Sequence, residues 1–128
     1  MSEDIGLREL QKQAHATAVE KGWWDNKDRN IGEQLMLMVT ELAEAMESHR
    51  SGRNVSETFF VAFESGLEYH GQQLHPKDKP DGFPIEIADL LIRVADTAER
   101  YGIDLAEAVR LKMKYNQTRQ HRHGGKTC

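Results

Sequence analysis

The sequence predicts an all-α fold, a helical bundle of four main helices in a single domain over residues 1–128. Apolar residues recur at helical spacing in four segments, and two of these segments follow a good capping residue. No segment alternates convincingly between apolar and polar residues as a half-buried strand does. A polar connection, residues 52–83, is inserted between helices two and three, and residues 120–128 form a basic, glycine-containing tail.

The first two helices are predicted over residues 4–21 and 31–50. Apolar residues mark one side of the first helix, which ends at Gly22. Asn30 is the predicted N-cap of the second helix, and Glu33 lies three residues later, as in a capping box. Ser51 and Gly52 end it. Because the second helix is apolar on nearly all sides, we expect it to be covered on both faces.

The inserted connection is the least regular part of the chain. Ser56 is predicted to cap a short helix over residues 57–64 that carries three phenylalanines. These aromatic side chains are expected in a local core or a subunit contact. His70 and His75 are expected on the surface, because their surroundings do not suit a defined zinc site.

The last two helices follow in close succession. Pro84 lies near the start of the third helix, a position that proline favours, and Gly102 ends the helix. Asp104 is the predicted N-cap of the fourth helix, with Glu107 completing a capping box. This helix is expected to run to about Arg119.

Composition excludes several classes of function. The net charge is −4, so the chain lacks the basic excess that binding to duplex nucleic acid requires. The single cysteine, Cys128, excludes an intrachain disulfide and a zinc–cysteine cluster, and it suits a reducing cytosol. No apolar run resembles a signal peptide or a membrane span. We therefore expect a cytoplasmic protein that does not interact with membranes.

Two pairs of carboxylates are the candidate catalytic feature. Glu41 and Glu44 on helix two, and Glu86 and Asp89 on helix three, each stand three residues apart, so each pair projects from one side of its helix. The alternative is an ordinary solvated helix face. Like charges one turn apart repel by about 3 kcal/mol at an effective dielectric near 20, so four converging acids call for a cation. Oxygen ligands favour Mg²⁺ or Mn²⁺ over zinc.

With these residues, the chain resembles the MazG-like, all-α nucleoside triphosphate pyrophosphohydrolases. The superfamily also contains dimeric dUTPases and phosphoribosyl-ATP pyrophosphatases. Its pattern is Glu-Glu-x-x-Glu, a variable gap and Glu-x-x-Asp. Thr40 stands at the first position here, so the pattern covers the four acids named above and not a fifth. The number of metal ions stays open.

Further motifs extend the resemblance over nearly the whole chain. Lys112, Asn116 and Arg119 lie along one stripe of helix four and resemble the family's Lys/Asn element for triphosphate binding. Residues 122–126 (Arg-His-Gly-Gly-Lys) resemble the ending of some members. Trp23 and Trp24, after Gly22, resemble the N-terminal aromatic element of the family. We expect one of the two tryptophans to stack on the base and the other to pack over the end of the bundle.

The resemblance implies a reaction, a cofactor and an assembly. Members cleave an NTP or dNTP between the α and β phosphates to give the monophosphate and pyrophosphate. The expected ligands of Mg²⁺ or Mn²⁺ are then Glu41, Glu44, Glu86 and Asp89. The candidate general base is either Glu41 or Glu44. Substrate binding falls to seven residues: Lys112, Asn116, Arg119, His123, Lys126, Trp23 and Trp24. The chain is expected to form a homodimer or a homotetramer.

Two other functions are compatible with the sequence. One keeps the chemistry and takes phosphoribosyl-ATP as substrate. The other is a non-catalytic helical module that binds a partner protein through residues 52–83. The sequence does not predict which base or sugar is preferred.

Overall fold

The computed structural model describes residues 4–119 and is mostly helical. Helices make up 57% of it, and a small antiparallel sheet accompanies them. The elements are α1 (Leu7–Glu20), α2 (Ile31–Arg50), β1 (Phe59–Val61), β2 (Glu68–Tyr69), β3 (Lys79–Asp81), α3 (Phe83–Arg100) and α4 (Leu105–Thr118). The four predicted helices are confirmed, whereas the prediction of a purely all-α fold is wrong. None of these helices is long and apolar enough to cross a membrane.

Internal contacts divide the chain into two compact units. Unit 1 combines the chain up to Trp23 with the chain from Ala95 onward, and it contains α1 and α4. Unit 2 is Trp24–Val94, which contains α2 and the sheet. The boundary between the units falls within α3. The single domain over residues 1–128 stays a prediction.

The predicted capping residues begin α2 and α4. The Asn30 Oδ1 atom accepts a hydrogen bond from the Glu33 backbone N–H at 2.9 Å. The Asp104 Oδ1 atom accepts from the Glu107 backbone N–H at 3.3 Å. Each cap satisfies a backbone donor that has no partner within its own helix.

Glycines end α1 and α3 in the left-handed conformation. Gly102 has φ +69, and the N–H of Ile103 donates to the Ala98 carbonyl at 2.8 Å. Gly22 has φ +83, and the N–H of Trp23 donates to the Ala18 carbonyl at 2.9 Å. Both ends are Schellman motifs, in which glycine avoids the cost that a Cβ atom would carry at positive φ.

Gln11 ties α1 to the turn before α4 in unit 1. Its side chain is buried, and its Nε2 atom donates to the Ile103 carbonyl at 2.6 Å. Its Oε1 atom accepts from the N–H of Leu105 at 2.9 Å. Arg8 adds a bidentate contact from α1 to the Asp104 carboxylate, with Nε donating to Oδ1 and Nη2 donating to Oδ2. These bonds fix the start of α4 against α1 within unit 1.

The short helix predicted over residues 57–64 is absent, and β1 stands there instead. β1 is the central strand, with Phe60 opposite Tyr69 of β2 and opposite Pro80 of β3. The rings of Phe60 and Tyr69 stack with centroids 5.6 Å apart. The prediction failed because strands of two or three residues are too short to show alternation, while the aromatic and β-branched residues of β1 favour a strand.

Ser56 does not cap a helix, because it belongs to a turn organised by Asn54. The Asn54 Oδ1 atom accepts from the backbone N–H and the hydroxyl of Ser56 at 2.8 and 2.7 Å. The N–H of Glu57 donates to the Asn54 carbonyl at 3.0 Å. This is the local bonding pattern by which asparagine favours turns over helices.

Gly82 joins β3 to α3 and cannot be replaced without strain. Its φ is +113, and a Cβ atom there would clash with the carbonyl oxygen of Glu57. Its own carbonyl accepts from the N–H groups of Ile85 and Glu86, each at 3.1 Å. Gly82 therefore sets the position at which Glu86 enters the first turn of α3.

We expect Gly82→Ala to lower the free energy of unfolding by about 2 kcal/mol or more, because the cost of positive φ for alanine and the cost of the backbone clash add together. Urea denaturation measures this value. Gly52→Ala is the matched control, since Gly52 also has positive φ but a Cβ atom added there would have no neighbour within 4 Å. A loss for Gly82→Ala no larger than that for Gly52→Ala would contradict the role assigned to the clash.

Among residues 4–119, one face of α2 is covered and its apolar side is exposed. The buried residues are Gln34, Glu41 and Ala45, so the face that carries an acid points inward. The apolar residues on the rest of the helix are between 44% and 62% exposed: Ile31, Leu35, Met36, Val39, Leu42 and Met46. The part of the chain that the structure describes therefore does not provide the expected cover on both faces.

Candidate metal centre

Three of the four predicted acids come together in unit 2. Carboxylate oxygens of Glu41, Glu44 and Glu86 all lie within 4.8 Å of one another. Glu41 and Glu44 share one side of α2, one turn apart, and Glu86 is in the first turn of α3. Glu41 is only 8% exposed, whereas Glu44 is exposed. We call these three residues the acidic cluster.

Asp89, the fourth predicted ligand, lies outside the acidic cluster but interacts with it. Burial raises the pKa of the Asp89 carboxyl, and the negative charges of Glu41 and Glu44 raise it further. The positive charges of Arg93 and Lys79 partly offset this rise. The two acidic pairs of the sequence therefore face the same region of unit 2.

The ionisation of Glu86 reflects the crowding of negative charge. Burial, followed by the charge of Glu44, raises the pKa of Glu86 to about 7, and Asp81 and Asp89 contribute as well. The Oε2 atom of Glu86 is buried, and no donor among the described residues bonds to it. A carboxyl in this position gains from a positive charge placed beside it.

These donors fit a hard divalent cation. The acidic cluster offers oxygen atoms only, which are the ligands that Mg²⁺ and Mn²⁺ prefer. A buried carboxylate oxygen without a donor, and a pKa raised by neighbouring acids, are both relieved when a cation enters. The carboxylates of Glu41, Glu44 and Glu86 would hold such an ion.

Arg93 is a site residue that the sequence reasoning did not assign. Its Nε and Nη2 atoms donate to the Oε1 atom of Glu41 at 3.2 and 3.0 Å. The side chains of Arg93 and Glu41 are only 22% and 11% exposed. The available signal was the position of Arg93 seven residues after Glu86, which places both on one face of α3. Arg93 holds Glu41 in place and offsets part of its charge.

We expect Arg93→Met to lower the free energy of unfolding by about 1–3 kcal/mol, because Glu41 would be left largely buried beside two other acids. Urea denaturation at pH 7.5 without metal measures the loss. Arg110→Met is the control, since the ion pair of Arg110 with Glu107 is exposed and is expected to contribute nothing measurable. Equal stability of Arg93→Met and the wild-type protein would contradict the role of Arg93.

The predicted phosphate-binding residues of helix four lie in unit 1. Lys112 and Asn116 are exposed on α4, and Arg119 follows its last residue. The Lys112 Nζ atom is 5.1 Å from the centroid of the Tyr115 ring, and the Arg119 guanidinium carbon is 5.7 Å from it. Tyr115 thus gathers both cations on one exposed surface. His123 and Lys126, which the resemblance also assigns to the substrate, lie outside the described residues.

The two tryptophans differ in exposure. Trp24 is buried, and Trp23 is partly exposed. Both have contacts within the protein. Of the two, Trp23 offers more ring surface to solvent, and Trp24 is better placed for packing. Their division into a base-stacking and a packing residue stays a prediction.

Comparison with known proteins adds no relative. No family model, no curated protein and no solved structure matches this chain. The resemblance to MazG-like enzymes therefore rests on the order and spacing of the motifs in the sequence. The acidic cluster of the structure is compatible with that resemblance.

Proposed function

We propose that the protein is a cytoplasmic, Mg²⁺-dependent nucleotide pyrophosphohydrolase of the MazG-like type. Its reaction is hydrolysis of an NTP or dNTP between the α and β phosphates to the monophosphate and pyrophosphate. The observation that carries the proposal is the acidic cluster, in which three carboxylates from two helices converge and the pKa of Glu86 is raised to about 7. Convergent carboxylates of this kind are typical of cation sites that bind phosphates.

The residues of the cluster have separable tasks. A bound Mg²⁺ ion supplies neutralisation of the phosphate charge and Lewis-acid polarisation of the α-phosphorus. Two donors of Arg93 already bond to the Oε1 atom of Glu41. We therefore assign Glu41 to holding the ion rather than to accepting a proton from water. Glu44 is exposed, so its carboxylate can reach a water molecule and accept a proton from it. Of the two candidate general bases, we therefore propose Glu44.

The resemblance assigns the outer phosphates to Lys112, Asn116 and Arg119, and the proposal keeps this assignment. Lys112 and Arg119 flank Tyr115 on an exposed surface, and Asn116 lies on the same helix. A triphosphate carries about four negative charges, so cations that contact it strengthen binding without taking part in the chemistry. Replacing Lys112 by alanine is therefore expected to raise KM more than it lowers kcat.

We propose that copies of the chain associate through the apolar side of α2 into a homodimer or a homotetramer, which completes a helical bundle. The exposed residues Leu35, Val39, Leu42 and Met46 recur every three or four positions and form one stripe. A stripe of this kind is costly in water and is commonly covered by another helix. Light scattering at micromolar concentration should show at least a dimer, and Leu35→Arg should weaken it. A wild-type monomer would contradict the assembly.

The function is tested with a panel of NTPs and dNTPs in Mg²⁺, with products separated by anion-exchange chromatography. The proposal predicts the monophosphate and pyrophosphate, and no turnover when EDTA removes the metal. A diphosphate with inorganic phosphate would show cleavage of the wrong bond. Phosphoribosyl-ATP belongs in the same panel, because turnover of that compound alone would favour the other enzymatic function.

Binding of a partner protein through residues 52–83 is the second candidate function. Leu67 and Leu74, in the connections on either side of β2, are 69% and 79% exposed, which favours contact with another molecule. Mg²⁺ distinguishes this function from the enzymatic one. An unchanged melting temperature in Mg²⁺ or Mn²⁺ would favour the binding module, since a cluster that holds the ion stabilises the folded state when the ion binds.

A further inference from the structure

A cavity of about 360 Å³ lies beside the acidic cluster in unit 2. Glu44 and Glu86 belong to its lining as well as to the cluster. A ligand that fills the cavity therefore lies next to the proposed metal position. The volume is at the low end of the range for small-molecule sites, which is about 300–1,000 Å³.

Away from the proposed metal ligands Glu44 and Glu86, the charges of the lining disfavour a polyphosphate. The charged groups of this part of the lining are the carboxylates of Glu47 and Asp81 and the guanidinium of Arg53. The Arg53 guanidinium is already paired, at 3.2 Å with Glu57 and at 2.5 Å with Glu68. The part of a nucleotide that such a lining accepts is the uncharged nucleoside.

Arg53 provides a flat surface for a base. Its guanidinium carbon lies 3.9 Å from the centroid of the Phe59 ring, which is itself only 6% exposed. The Phe59 ring and the carboxylates of Glu57 and Glu68 all contact the guanidinium, which limits the orientations it can take. Bases stack on guanidinium planes as they do on aromatic rings.

Asp81 provides the acceptor that distinguishes bases. Its Oδ1 atom accepts from the Gly82 N–H at 2.8 Å, which fixes the carboxylate. Its Oδ2 atom has a long contact of 3.7 Å with Lys79, so it retains capacity to accept a hydrogen bond. A carboxylate accepts from the exocyclic amino group of cytosine, whereas uracil presents a carbonyl oxygen at the same position and is repelled.

We propose that this cavity binds the nucleoside part of the substrate and that Asp81 selects bases with an exocyclic amino group over uracil and thymine, with Arg53 as the stacking surface. The proposal rests on the proposed function for the nature of the substrate. It adds two residues, Arg53 and Asp81, that the sequence motifs do not include. It also gives the site a base preference.

The test compares binding and turnover of two nucleotides that differ at one position of the base. Calorimetry in Mg²⁺ with the α,β-imido analogues of dCTP and dUTP, which are not hydrolysed, measures binding alone. The dCTP analogue is expected to bind at least about tenfold more tightly than the dUTP analogue, because one hydrogen bond to a carboxylate contributes a difference of this size. The kcat/KM values of dCTP and dUTP should differ in the same direction.

Two substitutions test whether Asp81 causes the base preference and whether Arg53 is the stacking surface. Asp81→Asn should reduce the preference below about threefold, because an amide can donate to uracil as well as accept from cytosine. Glu64→Gln, which removes one exposed acid from the β1–β2 connection, is the control and should keep it. Arg53→Ala should weaken both analogues by about tenfold without changing their ratio, whereas Lys77→Ala should weaken neither.

Equal affinity of the wild-type protein for the two analogues would overturn the proposal, and this measurement needs no variant to fold. A preference that survives in Asp81→Asn would overturn the role of Asp81. The two proposals fail differently. Analogues that bind selectively while no dNTP is hydrolysed would refute the proposed reaction alone, and hydrolysis without a base preference would refute the base site alone.

Discussion

Replacing Glu44 by glutamine is expected to lower kcat for a nucleoside triphosphate by at least about a hundredfold, the range for loss of a positioned proton acceptor. Glu44 lies within 4.8 Å of the oxygens of Glu41 and Glu86, so the change also removes one negative charge from the proposed metal site. Steady-state assays at saturating Mg²⁺ measure the loss. Circular dichroism should show an unchanged helical fold, because Glu44 is exposed.

Glu20→Gln is the matched control for this change. Glu20 is an exposed glutamate at the end of α1, so its replacement removes the same charge from a surface outside unit 2. Its kcat should equal that of the wild-type protein. Full activity in Glu44→Gln would exclude the acidic cluster as the catalytic centre.

The second large effect is a pH-dependent gain of stability in Mg²⁺. The pKa of Glu86 is about 7 in the folded protein and near 4.5 when the chain is unfolded. Between these two values the folded state binds a proton that the unfolded state lacks, so without metal the contribution of Glu86 to stability is lost as pH rises toward 7. Mg²⁺ competes with that proton. Mg²⁺ should therefore raise the melting temperature more at pH 8 than at pH 5.5.

Glu86→Gln tests whether Glu86 causes the pH dependence of the stability gain in Mg²⁺. Glutamine stays neutral at both pH values, so without metal the variant should be more stable than the wild-type protein at pH 8, where Glu86 is charged beside Glu44. It should also lose most of the gain in Mg²⁺. Differential scanning calorimetry measures both quantities. An equal Mg²⁺ effect at the two pH values would show that Glu86 does not take part in binding the ion.

The helices were predictable because their signals are local. Asn30 and Asp104 bond to backbone N–H groups three residues away, and Gly22 and Gly102 end their helices by positive φ. The sheet was not predictable in this way. Its strands are two or three residues long, and its order depends on pairing between residues that are distant in the chain, such as Phe59 and Asp81. Pairing of this kind leaves no periodic trace in so short a segment.

The meeting of three acids was predictable, whereas the position of Asp89 outside the acidic cluster and the partners of the acids were not. The i, i+3 spacing of Glu41 and Glu44 placed both on one side of α2, and Glu86 meets them as expected. Arg93 was missed because an arginine on a polar face usually faces solvent, and only the fold brings it to Glu41. Asp81 was missed because it precedes a helix that was expected to follow a structureless connection.

The most direct test of the central claim is hydrolysis of a dNTP in ¹⁸O-labelled water with Mg²⁺, followed by ³¹P NMR. The expected products are monophosphate and pyrophosphate, with the label on the monophosphate only, because water attacks the α-phosphorus. Glu44→Gln is expected to form neither product at a comparable rate. Label in pyrophosphate or in inorganic phosphate, or no turnover by the wild-type protein across the nucleotide panel, would show that the protein is not a pyrophosphohydrolase of this type.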